Sequence, residues 1–217
     1  MLSGMAVFIC LFTGLGAFGL VGPDEPRYAW IARAMAENGD WVTPRLYGQP
    51  WFEKPILYYW TAAIGFRLNL QPEWAARLPS AFAALAAAVA IGWLGWKHYA
   101  GGKKILERPA LLAPLIFSTS VAAIGFSRAA TPDMLFSAFI TLAMTCAAGV
   151  LRNHRALRAA ESTNSITRAR ETLTLAFFGA FLGLAVLAKG PAAVLLAGGA
   201  MALWAFVTSH WRAAFRT

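Results

Sequence analysis

The chain has 217 residues, of which 59% are hydrophobic and only 13% are charged, and this balance excludes an ordinary soluble domain with a solvated surface. The formal net charge of +9 does not indicate nucleic-acid binding, because the lysines and arginines lie between hydrophobic runs without an aromatic-interleaved basic stripe. Both cysteines fall inside hydrophobic runs without metal-ligand spacing, so neither a disulfide framework nor a zinc site is predicted.

Six hydrophobic runs approach the length of a membrane span. A bilayer core about 30 Å thick needs roughly 20 apolar residues of helix. The first run ends in Gly-Pro-Asp-Glu and lacks a small-residue cleavage site, which favours an uncleaved span over a signal peptide. The sequence therefore predicts an all-α polytopic transmembrane helix bundle of about six spans. The predicted spans are 2–21, 78–96, 110–126, 134–151, 172–188 and 191–208.

The lysines and arginines of the connecting segments predict the orientation of the bundle. Segments 97–109 and 152–171 and the C-terminal tail are rich in these cations and contain few carboxylates, so we predict that they face the cytoplasm. Segment 22–77 has balanced charge and is predicted to face the periplasm. The expected location is thus a bacterial inner membrane, with a cytoplasmic N-terminus and a multi-pass topology.

The outer loop 22–77 carries helix signals of its own. Pro26 follows two carboxylates as a first-turn proline does, and Asn38 followed by Gly39 is a helix stop. The pattern between them predicts an amphipathic helix lying at the membrane interface, and a second interfacial helix is predicted from Pro55. The apolar face of the first helix is formed by Tyr28, Ile31 and Met35.

Carboxylates at the predicted outer surface are the first candidates for chemistry, because ionisable residues beside the hydrocarbon are costly and tend to be functional. Asp24 and Glu25 follow the first span, and Asp133 lies in the turn between the third and fourth spans. If the helices bundle, one carboxylate can act as a general base while another orients it or a bound divalent cation. The alternative is helix capping, since each acid stands beside a proline at a helix start.

Cations on the same predicted side indicate a phosphate-linked substrate. Lys54 follows Glu53 just before the second interfacial helix, where an ammonium can hold a phosphate at the lipid surface. Arg27, Arg128 and Lys189 also lie on this side, against the topology bias. The alternative for each is snorkelling or contact with a lipid headgroup. No glycine-rich phosphate loop, nucleophile elbow or zinc-ligand spacing is present in the sequence.

Five motifs together resemble one family. They are GPDEPRYA at 22–29, GDWVTPRLYG at 39–48, FEKPILYYW at 52–60, SRAATPD at 127–133 and AKGP at 188–191. In this order they resemble the outer loops of the GT-C superfamily of glycosyltransferases, in particular the lipid A aminoarabinose transferases and the related protein O-mannosyltransferases. The resemblance extends over essentially the whole chain.

The resemblance implies transfer of a sugar from a polyprenyl-phosphate donor to a lipid A-type or other cell-envelope acceptor, with inversion, at the periplasmic face. It implies that Asp24 is the first-loop catalytic carboxylate, that Asp133 is its second-loop acidic partner, and that Glu25 belongs to the same acidic set. It implies no certain cofactor, and a divalent metal is possible. The implied substrate-binding residues are Arg27, Tyr28, Glu53, Lys54, Arg128 and Lys189.

Members of this family are about twice as long as this chain and carry further spans and a C-terminal periplasmic domain. We therefore expect residues 1–217 to form a single membrane domain, equivalent to the N-terminal catalytic module, without those later parts. A transporter or flippase for a lipid-linked substrate is the alternative from another class, and it predicts charged residues or broken helices near mid-membrane. An inactive truncated paralogue is a third possibility.

Overall fold

A computed structural model describes residues 2–98, 109–160 and 165–208. Within these ranges the regular structure is helical except for one small hairpin, which confirms the predicted all-α class. The helices are α1 (Leu2–Phe12), α2 (Asp24–Asn38), α3 (Leu57–Arg67), α4 (Pro72–His98), α5 (Pro109–Thr119), α6 (Val121–Ser127), α7 (Pro132–Ala160), α8 (Ser165–Lys189) and α9 (Ala192–Thr208). The hairpin pairs β1 (Arg45–Leu46) with β2 (Gln49–Pro50) in antiparallel register.

Among the described residues, three helices are long and apolar enough to cross a membrane, and they confirm three of the predicted spans. They lie at Pro72–Lys97 in α4, Pro132–Leu151 in α7 and Arg168–Lys189 in α8. The span predicted at 110–126 is divided between α5 and α6, which meet at an angle of 68°. The break occurs at Ser120, whose side chain accepts a hydrogen bond from the Ala123 N–H at 3.2 Å and so caps a new helix.

The prediction of the first span is wrong for the residues after Phe12. The sequence predicts one helix over 2–21, but α1 ends at Phe12 and the chain runs irregularly to Pro23. Gly14 adopts a left-handed φ of 82°, which a continuing helix does not accommodate. At the other end of the chain, the run predicted at 191–208 forms α9, which is apolar but has only 17 residues.

The two predicted helices of the loop are present, and their apolar faces form part of the core. Tyr28, Ile31 and Met35 of α2 are buried in one hydrophobic cluster together with α3 and the start of α4. Tyr58 of α3 ties this cluster to α4, because its hydroxyl donates to the Ala76 carbonyl at 2.8 Å. The α2 face that the sequence predicts to be apolar is therefore covered by protein.

Small residues bring α4 close to its neighbours. Ala81, Ala84, Ala87 and Ala88 are buried in a second cluster, with side chains of α1 and α7 packed around them. These alanines form a close helix contact, which in a membrane depends on van der Waals fit.

The loops and turns that carry the predicted site residues meet at one end of the bundle, here called the loop end. It comprises residues 13–23, 39–56 and 128–131 and the turn at Gly190. A hydrogen bond from the Ala130 N–H to Glu25 joins segment 128–131 to the start of α2, and a contact between Lys189 and Asp133 joins the end of α8 to the start of α7.

The opposite end is described only in part. Of the segments predicted to be cytoplasmic, residues 99–108, 161–164 and 209–217 lie outside the described residues, and so do the side chains of the three histidines. The predicted orientation of the bundle therefore stays a prediction.

Candidate active site

A chain of alternating charges centres on Arg27 in the first turns of α2. Arg27 contacts the Asp24 carboxylate one helical turn earlier, and its Nη1 atom lies 3.4 Å from Glu53 Oε2. Glu53 in turn lies 3.4 Å from Lys54 Nζ. Residues predicted from two separate motifs, 22–29 and 52–60, thus form one set of neighbouring ions with balanced charge.

Aromatic side chains surround the Arg27 guanidinium. Its central carbon lies 5.6 Å from the ring centroid of Tyr28 and 5.6 Å from that of Trp51, within the range of a cation–π contact. Burial opposes the charge of Arg27, but the carboxylates of Glu53 and Asp24 outweigh it and raise the pKa of the guanidinium. Arg27 therefore stays cationic.

Polar atoms without partners gather around the same arginine. The Nε atom of Arg27, the indole Nε1 of Trp51 and the hydroxyl of Tyr59 are buried and have no hydrogen-bond partner among the described residues. Burial, and then the neighbouring Tyr28, raise the pKa of Tyr59 far above its usual value, so its hydroxyl stays protonated and able to donate. Unpaired buried donors are rare in folded proteins and indicate a place where water or a ligand completes the structure.

Asp133 and Lys189 form a second ionic group at the loop end. Asp133 lies in the first turn of α7, where Thr131 Oγ1 donates to its carboxylate at 2.6 Å and Lys189, at the end of α8, contacts its other oxygen. The ammonium of Lys189 also lies 5.9 Å from the centroid of the Phe136 ring.

Gly190 explains how Lys189 reaches this position. With a φ of 95°, Gly190 adopts a left-handed conformation that ends α8, and its N–H donates to the Val186 carbonyl at 2.7 Å. The lysine is therefore the last residue of a helix, where a cation is favoured by the helix dipole. A short turn then leads into α9.

Glu25 occupies a separate, buried position. Its carboxylate accepts hydrogen bonds from the backbone N–H groups of Val21 at 2.8 Å and Ala130 at 2.6 Å, and from Arg77 Nη2 at 2.7 Å and Nε at 3.2 Å. Burial alone raises the pKa of a carboxyl, but the bond from Arg77 and the two backbone donors outweigh it here, so the pKa of Glu25 lies below its ordinary value. The neighbours Asp24 and Glu25 thus have different surroundings.

Sequence reasoning did not single out Arg77, which holds the segments around the site together. It is fully buried in α4, and besides Glu25 its guanidinium donates to the carbonyls of Leu15, Phe18 and Gly19 at 2.7 to 2.9 Å. All five of its N–H donors are used. The available signal was an arginine six residues into an apolar helix, which the prediction placed at the end of the loop.

Arg128 lies apart from both ionic groups. Its Nη2 atom donates to the Cys10 carbonyl at 2.7 Å, so it satisfies one of the carbonyls that the C-terminus of α1 leaves free. The structure thus brings together Asp24, Arg27, Tyr28, Glu53 and Lys54, and it brings together Asp133 and Lys189. Asp24 and Asp133, which the sequence predicts to face one cavity, each contact a different cation.

No group of three or more histidine, cysteine, aspartate or glutamate side chains in the described residues is arranged to hold a metal ion. The carboxylates at the loop end instead contact arginine and lysine side chains. The metal requirement of the site stays a prediction.

Comparison with known families identifies the chain. The sequence model of the family described as dolichyl-phosphate-mannose-protein mannosyltransferase matches residues 2–217. The chain belongs to this family.

Individual relatives agree with the family assignment. An undecaprenyl phosphate-alpha-4-amino-4-deoxy-L-arabinose arabinosyl transferase of Edwardsiella ictaluri is 36% identical over 122 residues, which are 56% of this chain and 21% of that protein. The protein of the same description from Pectobacterium atrosepticum is 32% identical over 154 residues, 67% of this chain and 26% of that protein. The chain spans about a quarter of the length of these relatives.

Solved structures match the fold over nearly the whole chain. The apo crystal structure of ArnT from Cupriavidus metallidurans has a TM-score of 0.80 and 25% identity, covering 100% of this chain and 38% of that one. The structure of the same protein bound to undecaprenyl phosphate has a TM-score of 0.77 and 26% identity, covering 98% of this chain and 37% of that one.

Proposed function

We propose that the chain is the donor-binding and catalytic part of a glycosyltransferase that uses a sugar linked to a polyprenyl phosphate. The observation that carries this proposal is the row of ions at the loop end, Asp24 through Lys54, in a fold that matches a structure bound to undecaprenyl phosphate. The acceptor is a lipid A-type molecule or another cell-envelope component. The loop end faces the periplasm, and the protein lies in the bacterial inner membrane.

The cations are suited to hold the phosphate of the donor. Lys54 and Arg27 are each about one third exposed and lie on either side of Glu53, so one phosphate can meet both by displacing the glutamate contact. Their positive charge stabilises the phosphate as the bond to the sugar breaks. The aromatic rings of Tyr28 and Trp51 beside Arg27 offer a surface for the sugar ring.

The carboxylates are suited to activate the acceptor. Asp24 has 59% of its side chain exposed, which leaves it open to an incoming hydroxyl. In the transfer step the acceptor oxygen forms a bond to the anomeric carbon, the carbon–oxygen bond to the phosphate breaks, the lipid phosphate keeps the electron pair, and a carboxylate takes the acceptor proton. Attack from the face opposite the phosphate inverts the anomeric centre. Asp133, held by Lys189, is the second carboxylate of this proposal.

Glu25 and Arg128 have positioning roles in this proposal. Four protein donors occupy the Glu25 carboxylate, so it is poorly placed to accept a proton from a substrate. Arg128 binds a backbone carbonyl of α1. Both residues instead fix the segments that carry Asp24 and Asp133.

The sugar is proposed from the relatives. Proteins similar to this chain are described as acting on undecaprenyl phosphate-alpha-4-amino-4-deoxy-L-arabinose, and we propose an amino-pentose of this kind as the transferred group. Sugar identity is a property of the whole site, and one fold hosts many substrates.

Replacing Asp24 tests the proposal. We expect Asp24→Asn to reduce the rate of transfer from a radiolabelled undecaprenyl-phosphate-linked sugar by about 10²- to 10⁴-fold, the usual contribution of a positioned general base. Asp40→Asn is the matched control, because Asp40 accepts backbone hydrogen bonds from Val42 and Thr43 that an asparagine oxygen retains. A normal rate for Asp24→Asn, or equal losses in both variants, contradicts the assignment.

The alternative of a transporter for a lipid-linked substrate is less well supported. It predicts charged residues or broken helices near mid-membrane. The pair α5 and α6, bent by 68°, is a broken helix of this kind, but the charged residues do not follow the transporter pattern. In the described spans the ionisable residues lie near the ends, with Asp133 at the start of α7, Lys189 at the end of α8, and Arg77 near the start of α4.

A further inference from the structure

A polar cavity lies away from the ionic groups, where α2, α3 and α4 meet. Its volume is about 550 Å³, and its lining includes Arg33 and Glu37 of α2, Arg67 of α3, Asn69 of the following turn, and Pro72, the first residue of α4. Arg33 is nine residues beyond Asp24 on the same helix, about 14 Å at 1.5 Å per residue. The residues proposed for sugar transfer do not line this cavity.

Arg67 is the unusual member of the lining. Within segment 22–77, which the structure describes throughout, every other cation contacts a carboxylate, whereas Arg67 has no hydrogen-bond or ion-pair partner. The paired cations are Arg27, Arg33, Arg45, Lys54 and Arg77. Glu73, the remaining carboxylate of the segment, makes no ion pair with Arg67, so this arginine on the cavity wall is available to an anion from outside the chain.

The rest of the wall favours the same anion. Arg33 uses its Nε atom to bind Glu37 at 2.7 Å, which leaves both of its Nη nitrogens without a described protein acceptor. Two guanidinium groups thus face one carboxylate. Planar, multiply donating guanidinium groups suit the tetrahedral oxygens of a phosphate better than a single ammonium does.

The turn that carries Arg67 is rigid. The N–H groups of Leu68, Asn69 and Leu70 donate to the carbonyls of Ile64, Phe66 and Gly65 at 3.0 to 3.1 Å. Arg67 therefore leaves a fixed backbone, and a ligand does not have to order the turn before it binds.

The cavity also lies at the level where a span enters the membrane. Pro72, part of its wall, is the first residue of the spanning segment Pro72–Lys97. Leu68, Leu70 and Trp74 are exposed beside it, and exposed apolar side chains next to a span suit contact with acyl chains and the headgroup region. The most abundant anion at this level of a membrane is the phosphate of a lipid headgroup.

We propose that this cavity binds the phosphate of an anionic phospholipid headgroup through Arg67 and Arg33, with the acyl chains lying along Leu68, Leu70 and Trp74. The site is separate from the proposed reaction and does not depend on it. The anionic headgroup charge is attracted by the two arginines, and Glu37 limits the attraction.

The test is binding of short-chain phosphatidylglycerol to the purified protein in neutral detergent, measured by native mass spectrometry. We expect Arg67→Gln to weaken binding about tenfold, the loss of a charge-assisted hydrogen bond, and Glu37→Gln to strengthen it, because it removes the opposing charge and frees Arg33. Arg45→Gln is the matched control, since Arg45 is an exposed arginine of the same segment paired with Asp40, and its binding should equal that of the wild type.

Competition separates the sources of the phosphate. Displacement only by lipids supports the headgroup site, whereas displacement of phosphatidylglycerol by millimolar inorganic phosphate indicates a site for free phosphate and overturns the proposed headgroup site. Unchanged binding in Arg67→Gln, equal losses in Arg67→Gln and Arg45→Gln, or equal affinity for zwitterionic phosphatidylcholine overturns the proposal. Sugar transfer, assayed with saturating substrates, should be retained in Arg67→Gln, so failure here leaves the proposed transferase activity testable on its own.

Discussion

At the residue scale, the neighbouring carboxylates of Asp24 and Glu25 differ in exposure and in their contacts. Asp24 is mostly exposed and contacts Arg27, while Glu25 is mostly buried and joins Arg77 to the backbone at Val21 and Ala130. Because an ion pair with so many added hydrogen bonds compensates the desolvation of both charges, removing one partner leaves the other buried and unpaired. The position of Asp24 therefore depends on its neighbour Glu25, which need not touch a substrate.

Glu25→Gln is expected to destabilise the protein strongly. The variant removes the charge opposite a fully buried arginine, a change that typically costs about 3 to 5 kcal/mol. Glu37→Gln, which removes a carboxylate from an exposed pair with Arg33, is the matched control and should change stability by less than about 1 kcal/mol. Unfolding by SDS titration in mixed micelles measures the stability of both variants. A small effect of Glu25→Gln contradicts a stabilising role for the Glu25–Arg77 pair.

The same pair predicts a dependence on pH. The pKa of Glu25 is lowered in the folded protein from an ordinary value of 4.5, so its stabilisation is complete above that value and is lost as the pH falls through the lowered pKa. The difference in Tm between wild type and Glu25→Gln should therefore narrow when the pH is reduced from 7 toward 3. A difference that stays constant over this range indicates that the charge of Glu25 contributes nothing.

At the scale of helices, the contact between α3 and α4 depends on one glycine. A Cβ added at Gly65 would lie 2.8 Å from the Cα of Ala75 and 3.0 Å from its Cβ, and neither atom belongs to a flexible side chain. The backbones of the two helices therefore approach as closely as small residues permit. This contact holds the helix that follows the Glu53–Lys54 segment against the helix that carries Arg77.

Gly65→Ala is expected to separate these helices and to destabilise the protein by about 1 to 3 kcal/mol, as overpacking does. Gly125→Ala is the control, because Gly125 is also helical and has nothing within 4 Å of an added Cβ; a gain of up to about 1 kcal/mol in helix propensity is expected there. The same SDS titration distinguishes the two variants. Equal effects would show that the α3–α4 contact tolerates a methyl group.

The sequence was sufficient to predict those elements whose signals are local. The stop at Gly39 is one example, since its φ of 72° and its hydrogen bond to the Met35 carbonyl follow from glycine chemistry alone. The end of α1 at Phe12 was missed because it depends on Arg77, 62 residues away from the Leu15 carbonyl that it binds. Hydrophobicity predicts that a segment avoids water, whereas the partner of each backbone carbonyl is decided by the tertiary fold.

For the candidate site, the sequence predicted which residues lie close together but not the surroundings of each one. Motifs correctly grouped Asp24, Arg27, Glu53 and Lys54, which lie close together. Residue type and position alone could not separate the open carboxylate of Asp24 from the enclosed one of Glu25, because the donors to Glu25 come from α4 and from the turn before α7.

At the scale of the whole molecule, the loop end and the opposite end should be on different sides of the membrane. Tyr47, 77% exposed at the hairpin turn, lies at the loop end. Arg168 precedes Lys189 by 21 residues of α8, or about 31 Å along the helix. In a variant without Cys10 and Cys146, Tyr47→Cys should react with a membrane-impermeant maleimide in intact spheroplasts, and Arg168→Cys only after permeabilisation. The reverse pattern contradicts a periplasmic loop end.

The order in which the chain is synthesised decides when the Glu25–Arg77 pair becomes complete. Glu25 leaves the ribosome 52 residues before Arg77, so the anion is already in place when the arginine enters the membrane at the start of α4. The Ala130 N–H arrives later and completes the set only after α5 and α6 have been inserted. A nascent chain that stops before residue 130 therefore holds a partly satisfied buried ion pair, and such intermediates should be the ones that membrane quality-control proteases recognise.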